Sequence, residues 1–271
     1  MSPRADAVSR RDIIERHDTD CPFRHMHTHA LQFIDVSKYF GNHAALKGVS
    51  FSVESGEYFA LVGINGAGKT TLLKCLLDFC ETGSGSIEIF GKSHRLTIAR
   101  KRLSFLPERF IPPHFLTGTD FLQYMLKLQG LPYDEARVED MLVALDLDFA
   151  ALRLPVRAYS KGMTQKLGLA ACFLASKELY VLDEPTSGLD PKARARLKAK
   201  FKDMRNQTRT MFFTSHALAD VEEICDRMAV IHDGQLLFVG TPQQLCRRHA
   251  AANLEQAFLS CIGELGTMTG T

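Results

Sequence analysis

Residues 58–70 read YFALVGINGAGKT, an apolar run followed by a glycine-rich loop that ends in Lys69 and Thr70. The run at 58–62 has the length of a buried strand, and residues 70–79 have the apolar face of a helix. The loop matches G-x-x-x-x-G-K-[ST] at every fixed position and lies between that strand and that helix, the context this motif requires. We therefore predict a phosphate-binding loop, and not the alternative of a glycine-rich turn with a solvated lysine.

Each fixed residue of this loop has a physical reason. Gly66 and Gly68 allow backbone angles and a close approach that a Cβ would prevent. The backbone N–H groups and the following helix N-terminus then attract phosphate. Lys69 is expected to reach the β- and γ-phosphates, and the Thr70 hydroxyl to bind Mg²⁺. The predicted nucleotide-binding residues of the loop are Gly63, Asn65, Gly66, Ala67, Gly68, Lys69, Thr70 and Thr71.

A second apolar strand, at 179–182, ends in the acidic pair Asp183 and Glu184. Ligands of parallel sheets collect at the carboxyl ends of the strands. Asp183 is therefore placed to hold Mg²⁺, and Glu184 to orient and deprotonate the attacking water. The alternative is a solvated strand end with a helix-capping acid. The pair alone would be weak evidence, but beside a complete phosphate-binding loop we favour the catalytic interpretation.

Composition is that of an ordinary globular protein with room for one large domain or two small ones. The chain has 271 residues, 45% of them hydrophobic and 24% charged, and its net charge of +2 is too small to indicate nucleic acid or anionic lipid as a partner. Seven cysteines without paired spacing argue against a disulfide framework and fit a reducing cytosol. No apolar run approaches the roughly 18–20 residues that span a bilayer, so we expect a partner to supply any membrane spans.

Strands and helices alternate along most of the chain. This alternation around a phosphate-binding loop predicts an α/β fold of the P-loop NTPase type, with a parallel-sheet core, an antiparallel β subdomain and an inserted helical subdomain at about 111–176. Residues 1–29 are polar and are expected to be a disordered extension, and 263–271 a flexible tail, around a domain at 30–262. His25, His27 and His29 lie near Cys21, and this tract either holds a metal or is a solvated tail.

Residues 159–163, Tyr-Ser-Lys-Gly-Met, place a Ser-x-Gly turn between the phosphate-binding loop and the acidic pair. With this turn, the chain from about 31 to 260 closely resembles the ATP-binding subunit of ABC transporters. The Lys-Gly-Met form of the turn is similar to subunits that serve separate ABC-2-type permeases, which are mostly exporters. The matching segments, in the family's order, are Phe40-Gly41, 63–71, Pro107-Glu108, 159–163, Asp183-Glu184-Pro185, 187–190 and His216.

The resemblance implies roles for residues outside the loop. Phe40 would stack on adenine, although Tyr39 is adjacent and a core aromatic is the alternative. Ser160 and Gly162 would contact the γ-phosphate of an ATP held by a second subunit. Ser160 can cap the helix beginning near Lys161, and a second anion-attracting helix end implies a second protomer.

The remaining roles concern the chemistry and the subunit boundary. Asp190 would lie at the dimer interface, and could equally cap the helix that follows it. His216 would reach the γ-phosphate from the sheet edge. The catalytic residues are then Glu184, His216 and Lys69, and the metal ligands are Thr70, Asp183 and Glu108.

Three positions depart from the family pattern. Glu108 stands where glutamine is usual, which adds a charge and a titratable proton beside the metal. Lys161 replaces a common glycine, and Ile64 replaces a common proline at a position whose side chain is not needed for phosphate. These changes remove no catalytic group.

The resemblance predicts an ATPase that uses ATP and Mg²⁺ and acts as a head-to-tail homodimer. It would be peripheral on the cytoplasmic face of the inner membrane, coupled to an ABC-2-type permease and not to nucleic acid. Residues 110–115, Phe-Ile-Pro-Pro-His-Phe, would line the docking groove for the permease. The alternative is a soluble ABC-type clamp, whose relatives usually carry coiled coils or two cassettes. The segments at 159–163 and 187–190 argue against a small-molecule kinase.

Overall fold

The computed structural model describes residues 29–205 and 209–268. These residues form two sheets flanked by helices. The strands are β1 His29–Phe40, β2 His43–Glu54, β3 Tyr58–Val62, β4 Ser84–Ile89, β5 Lys92–Ser93, β6 Leu103–Leu106, β7 Leu179–Asp183, β8 Thr210–Ser215, β9 Arg227–His232 and β10 Gln235–Gly240. The helices are α1 Lys69–Leu76, α2 Thr97–Arg100, α3 Gly118–Leu128, α4 Glu135–Ala144, α5 Lys161–Leu174, α6 Pro191–Arg205, α7 Leu218–Ile224, α8 Pro242–Arg248 and α9 Leu254–Met268.

The larger sheet has the strand order β10-β9-β3-β8-β7-β6. Strands β9, β3, β8, β7 and β6 are parallel, and β10 joins β9 antiparallel. The three central strands, β3, β8 and β7, are completely buried, because helices cover one face of the sheet, and helix α1 and the smaller sheet cover the other. Their register pairs Val62 with Ser215 and Asp183 with Thr214, so the carboxyl ends of these strands meet at one edge.

The smaller sheet has the order β2-β1-β4-β5 and is antiparallel. It packs on the larger sheet through aromatic rings. Phe33 of β1 stacks on Phe51 of β2 at 4.5 Å between centroids, and Phe51 stacks on Phe59 of β3 at 5.3 Å. Burying each such ring stabilises the fold by about 1.5–3 kcal/mol. These contacts fix the first sheet beside the strand that leads into the phosphate-binding loop.

Helices α3, α4 and α5 lie between β6 and β7 in the sequence. Each is preceded by a capping residue whose side chain accepts a hydrogen bond from a backbone N–H of the first turn, namely Thr117, Asp134 and Ser160. Such caps satisfy amides that a helix start leaves without partners. Helix α5 is almost completely buried after its first turn and connects this helical layer to the larger sheet.

The predicted α/β fold, with a parallel core and an antiparallel sheet, is confirmed. Three elements after residue 232 were not predicted from the sequence: β10, α8 and α9. Their signals are present in the sequence. Asp233-Gly234 is a hairpin turn signal, and Thr241 forms a capping box with Gln244 at the start of α8.

Helix α9 buries four residues at helical spacing against the rest of the domain: Leu254, Ala257, Phe258 and Cys261. The helix continues to Met268, past residue 262, where the predicted domain ends. Strand β1 begins at His29, one residue before the predicted start of the domain. Residues 29–205 and 209–268 contain no helix with the length and apolarity that crossing a membrane requires.

Candidate functional site

The phosphate-binding loop folds tightly between β3 and α1, and neighbouring backbone atoms leave no room for a side chain at Gly63 or Gly68. A Cβ on Gly63 would lie 2.5 Å from the Ile231 carbonyl oxygen. Gly68 has a φ of 109°, and a Cβ there would lie 2.8 Å from the Ala45 carbonyl oxygen. The Gly234 N–H donates to the Ala67 carbonyl at 3.0 Å, so the β9–β10 turn braces the loop.

Helix α1 starts directly from this loop. Its N-cap residue is Gly68, and no side chain accepts a hydrogen bond from the first-turn amides. Amide groups at a helix start carry partial positive charge and suit a phosphate oxygen.

Lys69, the first residue of α1, is buried with its amine at the base of the loop. Its Nζ donates to the Gly63 carbonyl oxygen at 2.6 Å and lies 3.7 Å from Glu184 Oε1. The Lys69 ammonium group therefore connects the loop to Glu184 at the acidic end of β7.

Asp183 ends β7 and is held by two hydroxyl groups. Thr214 Oγ1 donates to Asp183 Oδ1 at 2.6 Å, and Thr70 Oγ1 lies 3.4 Å from Asp183 Oδ2. Burial raises the pKa of the Asp183 carboxyl above its usual value, the Thr214 hydrogen bond opposes that shift, and the negative charges of Glu108 and Glu184 add to it. A nearby cation would stabilise the ionised Asp183 carboxylate and so oppose the rise of its pKa.

Glu184, the next residue, has a left-handed backbone with a φ of 49°. Such a conformation is uncommon outside glycine and needs support from its surroundings. The Glu184 N–H donates to Thr214 Oγ1 at 2.9 Å, so one threonine hydroxyl holds both acidic residues. His216, just after β8, places its Nδ1 2.8 Å from Glu184 Oε2.

These groups surround a pocket of about 390 Å³ at the carboxyl edge of the sheet. Its lining brings together most of the predicted site, namely Phe40, Asn65, Gly66, Ala67, Gly68, Lys69, Thr70, Thr71, Glu108, Asp183 and Glu184. Phe40 lines the pocket while its ring stays half exposed, and Tyr39 is not among the lining residues. The structure thus favours Phe40 over Tyr39 as the aromatic neighbour of a ligand here.

The donor set fits a small hard cation supported by phosphate. Thr70, Asp183 and Glu108 offer hydroxyl and carboxylate oxygens, the ligands that Mg²⁺ prefers. Within residues 29–205 and 209–268, no group of three or more His, Cys, Asp or Glu side chains could hold a metal by itself. Mg²⁺ usually completes its shell with water and substrate phosphates, so this small set is sufficient.

Ser160 and Gly162 of the Ser-x-Gly turn lie outside this pocket, at the start of α5, which we call the signature helix. Ser160 caps α5 by accepting the Met163 N–H at 3.2 Å. A Cβ on Gly162 would lie 3.3 Å from the Gly188 carbonyl oxygen, so the start of α5 packs on the loop at 187–190. In that loop, Asp190 caps α6 by accepting the Ala193 N–H at 2.8 Å.

Lys161, one of the departures, lies against the same loop. A Cβ on Gly188 would come within 2.9 Å of the Lys161 side chain, and Gly188 has a φ of 75°. The left-handed backbone angle therefore favours a glycine at this position, whereas the flexible Lys161 side chain could move to make room for a Cβ. The predicted caps at Ser160 and Asp190 are both present.

Three supporting residues were missed by sequence reasoning: Thr214, Gly234 and Gln165. Gln165 of α5 donates from its Nε2 to the Pro185 carbonyl at 3.2 Å, which connects the signature helix to the acidic segment. Only Gly234 had a local signal, the Asp-Gly turn. Of the tract that either holds a metal or is a solvated tail, Cys21, His25 and His27 lie outside the described residues, whereas His29 begins β1 and places its Nδ1 3.0 Å from Glu54 Oε1.

Comparisons with known proteins agree with this geometry. A family model described as ABC transporter matches residues 46–187. The linearmycin resistance ATP-binding protein of Bacillus subtilis is 31% identical over 238 residues, which are 86% of this chain and 76% of that protein. Nod factor export ATP-binding protein I of Burkholderia orbicola is 35% identical over 222 residues, covering 79% of this chain and 72% of that protein.

Other relatives are longer than the region they share. The chain spans 56% and 61% of the length of two uncharacterized ABC transporter ATP-binding proteins, from Synechocystis and Nostoc, at 40% and 38% identity. A solved structure described as the ATP binding subunit of an ABC transporter superposes with a TM-score of 0.78 at 29% identity, covering 86% of this chain and 99% of that one. The chain therefore belongs to the ABC transporter family and is related to its ATP-binding proteins.

Proposed function

We propose that this chain binds and hydrolyses ATP to power an ABC transporter, as a head-to-tail dimer coupled to a separate membrane permease. The observation that carries the proposal is the pocket at the carboxyl edge of the sheet. There the phosphate-binding loop, a buried acidic pair and a histidine converge within hydrogen-bonding distances. A nucleoside triphosphate with Mg²⁺ is the ligand whose charge and donor requirements match this set.

The loop side of the pocket binds the phosphates. In this proposal, Lys69 leaves its contact with the Gly63 carbonyl for the β- and γ-phosphates, a small change because the flexible side chain already lies at the base of the loop. Thr70 and Asp183 would hold Mg²⁺, which would neutralise phosphate charge when bound, and Glu108 would contact the cation or its water. Residues 63–71 surround the phosphates with amide groups, and Phe40 stacks on the adenine.

Glu184 acts as the general base. Its carboxylate is buried, faces Lys69 on one side and His216 on the other, and is fixed by the left-handed backbone bonded to Thr214. A carboxylate in this position can orient a water molecule toward the γ-phosphate and accept its proton. His216, which is mostly exposed, steadies Glu184 and contacts the γ-phosphate from the sheet edge.

The signature helix serves the partner's nucleotide. Ser160 and Gly162 stand at the start of α5, away from the lining of the chain's own pocket. A second copy, related head to tail, would bring this helix start to the γ-phosphate in the opposite pocket. Asp190, in the loop against which α5 packs, would then lie at the dimer interface. Two ATP molecules would close the dimer, and their hydrolysis would open it.

The permease would dock near the segment at 110–115. Ile111 and Phe115 are 85% and 71% exposed, whereas Phe110 packs edge-on against Phe121 of α3 at 5.6 Å between ring centroids. An exposed apolar patch anchored to a rigid helix is typical of an interaction surface. Two relatives are named for linearmycin resistance and for Nod factor export, which supports an ABC-2-type exporter as the partner and the cytoplasmic face of the membrane as the location.

The Glu184→Gln variant tests the proposed chemistry. Glutamine keeps the shape of the side chain but cannot accept a proton, so turnover should fall about 10²–10⁴-fold while ATP binding persists. Equilibrium binding of ATP and phosphate release would be measured on the same preparation. The control is Glu222→Gln on the exposed face of α7, which should retain full turnover. Normal turnover by Glu184→Gln would exclude this residue as the base.

The proposed coupling to a permease needs a separate experiment. The chain should co-fractionate with membranes that contain its multi-span partner, and hydrogen exchange at 108–116 should slow in that complex. A chain that stays in the soluble fraction, with unchanged exchange over 108–116, would favour a soluble ABC-type clamp instead.

A further inference from the structure

Two cysteines at the far end of α1 lie in contact. The Sγ atoms of Cys75 and Cys80 are 3.5 Å apart, close enough for one thiol to donate to the other. Neither is in a disulfide, and Cys172, Cys225 and Cys246 are also free thiols. Neither cysteine belongs to the pocket or the signature helix, so the nucleotide site gives no reason for their contact.

The chain path after α1 holds the two thiols together. Asp78 has a left-handed backbone with a φ of 61°, which turns the chain back at the helix end. The N–H groups of Phe79 and Cys80 both donate to the Lys74 carbonyl oxygen, at 2.8 and 3.3 Å. Backbone hydrogen bonds thus fold the residue at 80 over the residue at 75.

The two thiols differ in their access to solvent. Cys75 is completely buried among the leucines of α1, whereas Cys80 is half-buried. Burial, together with the neighbouring Cys80 thiol, raises the pKa of Cys75 to about 12. Because a thiolate is the reactive form and a solvent reagent must reach it, Cys80 is the thiol that an oxidant meets first.

We propose that Cys75 and Cys80 form an oxidation site that reacts with hydroperoxides and closes to a disulfide. Forming the bond needs the sulfur atoms to approach from 3.5 Å to about 2.05 Å. The turn at 78–80, in which Asp78 and Phe79 are exposed and Cys80 is half-buried, can supply this movement while Cys75 stays fixed in the core.

The chemistry balances with hydrogen peroxide as the oxidant. The Cys80 thiol first gives its proton to solvent, and the thiolate attacks one peroxide oxygen; an S–O bond forms, the O–O bond breaks, and the departing hydroxide takes a proton back from solvent to become water. The Cys75 sulfur then attacks the Cys80 sulfur. An S–S bond forms, the S–O bond breaks, and hydroxide leaves with the Cys75 proton as a second water. Two thiols are oxidised, and one peroxide is reduced.

Peptide mapping of the full chain tests this proposal. Trypsin cuts after Lys74 and Lys92, so both cysteines fall in the single peptide 75–92. After treatment with hydrogen peroxide and alkylation in denaturant, this peptide should be lighter by two hydrogen atoms and carry no alkyl group. Dithiothreitol should restore both alkylation sites. The buried Cys172 is the internal control and should stay alkylatable.

Two variants assign the order of attack. Cys75→Ser should stop the reaction at a Cys80 sulfenic acid that dimedone traps, and Cys80→Ser should leave Cys75 reduced. The proposal is overturned if wild-type peptide 75–92 keeps two alkylatable thiols under peroxide. Pairing of Cys80 with a cysteine other than Cys75 would overturn it equally, and neither readout depends on a variant that folds.

Discussion

Helices α1 and α5 differ in whether a side chain caps the backbone amide groups at the helix start. Helix α1 begins after Gly68 with no side-chain cap, and it opens into a pocket lined by Lys69 and buried carboxylates. Helix α5 begins after Ser160, whose hydroxyl accepts the Met163 N–H, and its first turn packs on the loop at 187–190.

This difference shows which part of a nucleotide site one chain supplies by itself. The amides of α1 open into a pocket whose lining residues all come from the same chain. The start of α5 is structurally satisfied and lies away from that pocket, so in the proposed function it completes the pocket of a second copy.

Removal of the Lys69 amine should have the largest effect, because it deprives the α1 site of its cation. We expect Lys69→Ala to weaken ATP binding and to lower turnover about 10²–10³-fold, the usual cost of deleting one charged phosphate contact. The control is Lys74→Ala, which removes an exposed lysine from the same helix. Equal turnover by these two variants would show that the α1 site does not act through Lys69.

Loss of the Thr214 hydroxyl should have an intermediate effect on the same site. Thr214→Val removes the group that accepts from the Glu184 N–H and donates to Asp183, leaving two buried polar groups without their partner. We expect the free energy of unfolding to fall by about 1–3 kcal/mol, with a loss of turnover. Denaturant unfolding measures the first and phosphate release the second.

Thr214→Ser is the matched variant, because it keeps the hydroxyl. It should retain most of the turnover, and a serine variant as impaired as the valine variant would contradict this role.

The contacts of Thr214 illustrate which parts of the site the sequence could predict and which it could not. The phosphate-binding loop and the acidic pair are local patterns, and strand alternation placed them at one sheet edge, so most of the pocket was predictable. The Ser160 cap was equally local. The contacts of Thr214, Ala45 and Gly234 join residues far apart in sequence, and only the folded register of β8 and the β9–β10 turn reveals them.

The smallest expected effect is that of removing the charge of Asp146, which supports helix α5. Asp146 lies 3.2 Å from Lys166 of α5 and 2.6 Å from Lys192 of α6, so it joins the signature helix to the helix after the loop at 187–190. Lys192 and Lys166 lower the pKa of Asp146. Asp146→Asn keeps a residue that tolerates the left-handed backbone at this position, with a φ of 56°.

We expect this variant to lose about 1 kcal/mol or less of unfolding free energy at pH 7, since the pair is partly exposed. A lowered carboxyl pKa contributes stability above its unfolded value, near 3.9, and that contribution is lost as pH falls through the folded pKa. The difference in unfolding free energy between wild type and Asp146→Asn should therefore become smaller below about pH 4. Asp203→Asn, an exposed position on α6, is the control and should show no gap.

Mixing two inactive variants tests most directly whether one site is built from two chains. A Ser160→Arg subunit has a working loop but a blocked signature helix, and a Lys69→Ala subunit has the reverse. Alone, each variant should hydrolyse almost no ATP. A mixed head-to-tail dimer would pair the intact loop with the intact helix, so we predict that ATP turnover appears on mixing, from one competent site per dimer. Turnover that never exceeds the sum of the separate variants would contradict the shared site.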